Sequence, residues 1–192
     1  LGVEYRAEAA AGVVVEGGRA VAVRLDSGET VACGAVLIAA GAGGAAIARS
    51  AGVEIPVAVR KRMIFTFRSA DPVENCPLLI DPTGVYVRPE GEGFLCGTQP
   101  PEERDPDFDG DYSVEWDLFE ETIWPTLAAR IPAFERIRPG RAWAGTYDMC
   151  LFDHNVLLGP PAEVANLYLA NGFSGHGLQQ SPAVGRGVAE LI

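Results

Sequence analysis

The chain has 192 residues, of which 48 % are hydrophobic and 21 % are charged, and its formal net charge is −11 at pH 7. These values exclude a wholly disordered chain, and the length suits one large domain or two small ones. The negative charge argues against general affinity for nucleic acid or an anionic membrane. The longest apolar run, at 35–48, is interrupted by glycines and is too short to span a bilayer. We therefore expect no nucleic-acid partner and no membrane span.

The cysteines and histidines show no spacing typical of zinc ligands, so we predict no metal site. The four cysteines are Cys33, Cys76, Cys96 and Cys150. No basic segment followed by an apolar stretch marks a signal peptide. Free thiols without such a peptide are typical of a reducing compartment, and we expect a cytoplasmic location.

Alternating apolar residues and glycine-containing turns predict a three-stranded β-meander over 12–33. The apolar run at 35–40 is continuous, which is typical of a strand buried on both faces of a parallel sheet. The run ends in Gly41, Ala42 and Gly43, before a short predicted helix at 45–50. Because α/β proteins contact phosphates and nucleotides where a buried strand leads into a glycine turn and a helix, these three residues are candidate cofactor contacts.

From residue 57 the pattern changes to short strands separated by proline, glycine and aspartate turns. These strands are predicted at 60–68, 78–80, 84–88, 93–98 and 138–147, with a hairpin tip at 91–93 and an acidic surface loop at 99–111. A helix is predicted at 113–131 from apolar residues at helical spacing, and Pro125 should kink or divide it.

The last segment returns to strand, glycine loop and helix. Gly172, Gly175 and Gly177 alternate with Phe173, Ser174 and His176, and a helix follows with Pro182 in its predicted first turn. Glycines let a backbone approach a flat ligand closely, and the free N–H groups at a helix start suit a partial negative charge such as a ring carbonyl. The spacing alone also fits a glycine-rich turn that binds no ligand.

The sequence GFSGHGLQQSPAVGRGVAELI resembles the C-terminal signature of the D-amino-acid oxidase / sarcosine oxidase superfamily of FAD-dependent oxidoreductases. VLIAAGAGG, GVYVRPEGEGFLCGT and RAWAGTYDMCLFDHNVLLGP resemble further segments of that superfamily, in the same order. The resemblance implies an α/β (α+β) fold. Residues 1–56 would form part of a Rossmann-like FAD-binding domain, 57–145 an antiparallel-sheet substrate domain, and 146–192 a return to the FAD-binding domain.

The superfamily's N-terminal GxGxxG motif, which binds the ADP half of FAD, does not occur in this sequence. The resemblance therefore implies the C-terminal portion of a longer flavoprotein. We expect this portion alone to bind FAD weakly or not at all and to be inactive.

The resemblance also implies a set of site residues. The cofactor contacts carried over from the C-terminal loop are Gly172, Phe173, Ser174, Gly175, His176, Gly177, Leu178 and Gln179. His176, Tyr86 and Arg88 are the candidate catalytic residues. An ordinary role remains open for each of the three: a loop-stabilising hydrogen bond for His176, a surface ion pair for Arg88 and core packing for Tyr86.

Four departures from the superfamily's pattern bear on the chemistry. Two lysines of sarcosine oxidases correspond to Gln179 and Leu95, and the loss of these cations favours a dehydrogenase that passes electrons to a carrier protein. The cysteine that bonds flavin covalently corresponds to Thr146, which implies noncovalent FAD. An arginine that binds a substrate carboxylate corresponds to Asp148, which could hold an ammonium group or cap a turn.

The reaction implied by the resemblance is the oxidation of an amine or N-methyl amino acid, by hydride transfer to flavin. Such a transfer needs positioning and an electrostatic sink rather than an acid–base triad. Two alternatives remain open: a catalytically weak assembly or interaction protein with a flavoprotein fold, and a stand-alone substrate-binding domain.

Overall fold

The computed structural model describes residues 2–192, apart from the side chain of Glu102. The chain divides into two compact units. Unit 1 comprises Leu1–Val59 and Tyr147–Ile192, and unit 2 comprises Arg60–Thr146. The assignment of one part of the chain to FAD and of the other to substrate stays a prediction.

The described residues form eleven strands and three α-helices. The strands are β1 (Ala10–Glu16), β2 (Arg19–Leu25), β3 (Thr30–Ala32), β4 (Val36–Ile38), β5 (Val57–Ser69), β6 (Leu79–Ile80), β7 (Tyr86–Glu90), β8 (Gly93–Gly97), β9 (Ile137–Cys150), β10 (Leu157–Gly159) and β11 (Leu167–Asn171). The α-helices are α1 (Gly44–Ser50), α2 (Trp124–Arg130) and α3 (Gly177–Leu191).

Unit 1 contains two three-stranded sheets. The first is the predicted antiparallel meander β1-β2-β3, whose first hairpin turns at Gly17 and Gly18 with φ of 56° and 75°. A two-residue hairpin turn whose twist matches that of the flanking strands requires positive φ at both positions. The second sheet has the order β10-β11-β4, in which β11 pairs antiparallel with β10 and parallel with β4.

The predicted strand at 35–40 is shorter than expected and is buried on one face only. Val36 and Ile38 point into the core of unit 1, but Leu37 between them stays 42 % exposed. The reason is that β4 lies at the edge of its sheet and the unit 1 core packs against a single face. The expectation of burial on both faces was wrong.

Unit 2 is built on a sheet of order β6-β7-β8-β5-β9. The pairs β6–β7, β7–β8 and β8–β5 are antiparallel, as predicted. One face of this sheet carries the core, in which five phenylalanine rings pack at centroid separations of 4.8 to 5.3 Å. They are Phe65, Phe67, Phe94, Phe119 and Phe134.

The predicted helix at 113–131 is divided at the expected place. A π-helical segment, Leu118–Ile123, runs directly into α2, and Pro125 occupies the first turn of α2. The N–H of Trp124 donates to the carbonyl of Phe119, five residues earlier, so the helix has the wider π spacing directly before the proline, which has no N–H to donate.

The C-terminal helix α3 begins at Gly177, so Pro182 lies inside it rather than in its first turn. Proline has no N–H to donate to the carbonyl four residues earlier, which is that of Leu178. The hydroxyl of Ser181 donates to this carbonyl instead, at 2.9 Å. Because this hydroxyl replaces the missing N–H donor, the helix continues through the proline. The sequence placed Pro182 in the first turn, so the predicted start of the helix was too late.

Candidate functional site

The candidate site of unit 1 lies at the carboxyl ends of two adjacent parallel strands, β4 and β11. Val36 pairs with Leu167 and Ile38 with Leu169, so both strands end at the same edge of the sheet. Each strand leads through a glycine turn into a helix, β4 into α1 and β11 into α3. The structure thus brings together the predicted turn Gly41–Gly43, which is a 3₁₀ turn, and the predicted loop at 172–179. Ligands of α/β proteins bind at this edge.

The loop after β11 adopts a backbone that few residues tolerate. The φ angles of Gly172, Ser174 and Gly175 are 78°, 53° and 92°. Phe173 bridges to Met149 at the end of β9, and the N–H of His176 donates to the carbonyl of Phe173 at 2.9 Å. The loop is therefore a defined structure tied to β9.

Side chains of the protein itself lie close to the three glycines of this loop. A Cβ on Gly172 would stand 3.0 Å from that of Cys150, and a Cβ on Gly175 would stand 2.5 Å from Tyr147 Cε2. A Cβ on Gly177 would stand 3.2 Å from the ring of Phe173. The glycine spacing by itself suggests the approach of a flat ligand, whereas intramolecular packing and positive φ angles are enough to require Gly172 and Gly175.

Two side chains, those of Asp148 and Ser174, hold the loop. The carboxylate of Asp148 accepts the N–H of Gly172 at 2.8 Å, so Asp148 caps the turn, which was one of its two predicted roles. The hydroxyl of Ser174 accepts the N–H of Cys150 at 3.0 Å and is itself buried. Ser174 was predicted as a cofactor contact, but its side chain is engaged within the protein. Only the three-dimensional return of the loop to β9 shows these contacts.

Backbone N–H groups without a backbone acceptor lie at the start of α3, among the residues that the structure describes. Among the residues that the structure describes, no backbone acceptor faces the N–H groups of Gly177, Leu178 and Gln179. Gln180 is the first residue of α3 whose N–H has a backbone acceptor, the carbonyl of His176 at 3.2 Å. Leu178 is 90 % exposed, and His176 and Gln179 are exposed as well. Donors at the positive end of a helix suit an electron-rich ligand atom.

A buried amide lies beside the other glycine turn. Asn171, the last residue of β11, is fully buried, and neither polar atom of its side chain has a hydrogen-bond partner within residues 2–192. A Cβ on Gly44, the first residue of α1, would stand 2.0 Å from Asn171 Nδ2. Gly44 thus leaves the space that the amide fills, a contact that sequence patterns do not show.

The other two predicted catalytic residues lie in unit 2, on β7. Arg88 is exposed, forms an ion pair with Glu90 and donates to the carbonyl of Pro89 at 3.1 Å. Arg88 thus forms a surface ion pair, which is the ordinary role that the sequence analysis left open for it. Tyr86 is half-buried, and its hydroxyl lies over Gly97, where a Cβ would stand 2.6 Å from the oxygen.

Unit 2 also contains a cavity of about 720 Å³ that the sequence did not predict. Its wall includes Lys61, Met63, Asp105 and Leu118. Asp105 belongs to the predicted acidic loop and is held by a bidentate pair with the guanidinium of Arg62, at 2.7 and 2.8 Å. The neighbouring ammonium of Lys61 pairs with Glu115 at 2.8 Å, and this carboxylate raises the pKa of Lys61.

The described part of the chain shows neither a cluster of metal ligands nor a membrane-spanning helix. No three histidine, cysteine or acidic side chains converge as metal ligands among those that the structure describes, which leave out Glu102. None of the helices formed by these residues has the length and apolar character to cross a bilayer.

The fold and the site define a class: an α/β protein with a nucleotide-type edge in one unit and an antiparallel sheet in the other. The family model described as "FAD dependent oxidoreductase" (DAO) matches residues 1–191. The chain belongs to this family.

Individual relatives agree with this assignment. FAD-dependent oxidoreductase domain-containing protein 1 of Bos taurus is 44 % identical over 178 residues, which cover 85 % of this chain and 36 % of the relative. 4-Methylaminobutanoate oxidase (formaldehyde-forming) of Paenarthrobacter nicotinovorans is 26 % identical, over 100 % of this chain and 24 % of its own. L-Proline dehydrogenase from P. horikoshii superposes with a TM-score of 0.81 at 27 % identity, covering 95 % of this chain and 48 % of that one. The chain thus spans about a third to a half of the first of these relatives and of the superposed structure.

Proposed function

We propose that this chain is part of an FAD-dependent oxidoreductase that oxidises an amine or N-methyl amino acid, and that the loop at 172–179 contacts the flavin. The observation that carries the proposal is the row of N–H donors without backbone acceptors at the start of α3, at the sheet edge that also bears a second glycine turn. Preorganised donors of this kind stabilise charge on a cofactor without reorganising during the reaction.

The residues present fit the flavin at this edge. The N–H groups of Gly177, Leu178 and Gln179 have no backbone acceptor among the described residues. They lie at the positive end of the α3 dipole, which suits a ring carbonyl of the flavin. Gly41–Gly43 supplies a second turn that lacks large side chains. When bound, FAD would supply the acceptor for the hydride that leaves the carbon next to the substrate nitrogen.

The binding is proposed to be noncovalent. Thr146 stands at the position that the superfamily resemblance assigns to the flavin-bonding cysteine, and a threonine hydroxyl offers no comparable nucleophile. Within residues 2–192, Cys150 is the cysteine next to the loop, and its thiol is buried and 3.5 Å from Asp153 Oδ1.

The substrate class rests on the names of relatives. One acts on 4-methylaminobutanoate and another on L-proline, and the two names describe amino acids with a substituted nitrogen. We propose Tyr86 and Arg88 as substrate-side residues and His176 as a flavin- or substrate-side residue. For Arg88 to bind an anionic group, it must leave Glu90, its present partner.

A dehydrogenase is proposed in preference to an oxidase. The positions assigned to the superfamily's two lysines are the neutral Leu95 and Gln179, and Leu95 pairs with Arg88 across β7 and β8. Electrons would then pass to a carrier protein rather than to oxygen. The chain alone is proposed to bind FAD weakly, because it covers only part of the relatives it matches.

The test is turnover by the full-length protein that contains this chain. We would measure flavin reduction by N-methyl amino acids and simple amines without oxygen, and then reoxidation by oxygen or by an electron-accepting dye. We expect reduction by at least one amine and faster reoxidation by the dye. A bound flavin that no amine reduces would contradict the proposal and would support an interaction protein. Faster reoxidation by oxygen would overturn the dehydrogenase assignment.

A further inference from the structure

One residue of β9 holds two successive points of the flavin-facing loop. The side-chain Oδ2 of Asp148 accepts the N–H of Gly172 at 2.8 Å, and the backbone carbonyl of Asp148 accepts the N–H of Ser174 at 3.0 Å. Asp148 therefore fixes both the position and the direction of the chain where it leaves β11. Its side-chain bond is charge-assisted, and such bonds are stronger than neutral ones.

Ser174 completes this attachment from the loop side. Its Oγ accepts the N–H of Cys150 at 3.0 Å and donates to the carbonyl of Gly172 at 3.2 Å. The residue is 7 % exposed and has a φ of 53°, a conformation that a non-glycine residue keeps only when its surroundings enforce it. The bonds from Asp148 and Cys150 supply that enforcement.

The attachment lies directly before the donors that the proposed function uses. Three residues separate the Ser174 N–H from that of Leu178, and the intervening turn closes through the bond from His176 to Phe173. A change in the direction of the chain at Gly172 would thus displace the N–H groups at the start of α3. Preorganised donors lose much of their effect when they are misplaced by about 1 Å.

We propose that Asp148 is the positioning residue of the flavin-facing loop. It acts through the N–H of Gly172 and does not itself contact the flavin. This inference rests on the proposed function, and it deepens that function by assigning the residue that sets the loop's geometry. Oδ1 of Asp148 accepts no hydrogen bond among the described residues, so the contact to Gly172 is the sole protein hydrogen bond of this carboxylate there.

The test compares Asp148→Ala with Asp148→Asn in the full-length flavoprotein. Asparagine keeps an oxygen that can accept the Gly172 N–H, whereas alanine removes the acceptor. We expect D148A to weaken FAD affinity about tenfold, the effect of about 1.4 kcal/mol, and D148N to change it by less than about threefold. The control is Asp26→Ala, which removes an exposed carboxylate of unit 1 and should leave affinity unchanged.

Two further readouts separate positioning from a general loss of structure. The visible absorption maximum of the bound flavin should shift in D148A and not in D148N, and hydrogen exchange of Gly172 should accelerate in D148A even without FAD. If D148A does not fold, Asp148→Ser replaces it, because a serine hydroxyl lies one bond closer to the backbone than Oδ2 and does not reach the Gly172 N–H in the same geometry, and the same loss of affinity is expected.

The outcomes are distinct. A wild-type protein without flavin, even after FAD is added, would overturn the proposed function and this assignment with it. Wild-type binding that D148A leaves unchanged would overturn the assignment alone. If D148N were as impaired as D148A, the negative charge and not the hydrogen bond would be responsible, and the positioning role would be wrong.

Discussion

The ring of Tyr147 lies against the Cα of Gly175, so closely that a Cβ on the glycine would stand 2.5 Å from Cε2 of the ring. Gly175 also has a φ of 92°, which favours glycine over any other residue. A strand end and a loop that are distant in sequence are thus fitted to each other. This fit fixes where the loop turns toward α3.

Gly175→Ala should therefore destabilise the protein by about 2–4 kcal/mol, from backbone strain and ring overlap together. Gly28→Ala is the matched control, because Gly28 has a φ of 89° but a Cβ added there would meet nothing within 4 Å. It should lose only about 1–2 kcal/mol, from strain alone. Urea unfolding of both variants measures the difference, and equal losses would show that the Tyr147 contact has no effect.

A second pair, Gly44 and Asn171, predicts coupling between two substitutions. Gly44→Ala should destabilise strongly, since its Cβ would overlap the amide at 2.0 Å from Nδ2. Asn171→Ala removes that amide, whose Oδ1 and Nδ2 are buried and have no hydrogen-bond partner among the described residues. The double variant should therefore lose less stability than the two single losses combined, by at least about 1 kcal/mol. Additive losses in a double-mutant cycle would contradict the contact.

The ion pairs of unit 2 predict unequal effects of removing one partner. Arg62 and Asp105 are 5 % and 9 % exposed, so Arg62→Gln leaves the buried carboxylate with the more distant Arg60 Nε, at 4.0 Å, as its charged partner and should cost about 3 kcal/mol, the low end for a broken buried pair. Arg88→Gln breaks an exposed pair with Glu90 and should cost less than about 1 kcal/mol. Thermal unfolding of the two variants tests this order. A similar small loss from both would mean that Arg62 does not anchor the acidic loop.

Cys96 predicts an alkaline limit to stability. Burial raises the pKa of its thiol from 9.0 to about 12. The unfolded chain ionises this thiol above its ordinary pKa while the folded chain keeps it neutral, so the free energy of unfolding should fall as pH rises from about 9 toward 12. The slope from this group is at most about 1.4 kcal/mol per pH unit. Comparing wild type with Cys96→Val between about pH 8 and 11 isolates the effect, and parallel curves would contradict it.

Local patterns predicted most of the fold. The hairpin at Gly17 and Gly18, the division of a helix before Pro125 and the antiparallel strands of unit 2 all follow from turn chemistry and apolar spacing. Two predictions were wrong, and in both cases a contact that the local pattern does not show determines the structure. The exposure of Leu37 depends on what covers its face of the sheet, and the continuation of α3 through Pro182 depends on the Ser181 hydroxyl.

The candidate site, like the fold, was predicted only in part from the sequence. Glycine spacing and order along the chain predicted both turns, and the structure brings them to one sheet edge. The spacing could not show that Tyr147 and Cys150 require the glycines, or that Asp148 holds Gly172, because these contacts join segments that are distant in sequence. The amide of Asn171 meets the backbone of Gly44 across most of the chain's length, and no local pattern records such a pair.

The proposed function depends on contact between the loop at 172–179 and flavin. The decisive measurement is the visible spectrum and FAD stoichiometry of the purified full-length protein that contains this chain, before and after a denaturant releases the cofactor. We predict about one FAD per chain, released by denaturant because it is bound noncovalently. A colourless protein that takes up no added FAD would contradict the contact, and flavin that stays attached after denaturation would contradict the noncovalent assignment at Thr146.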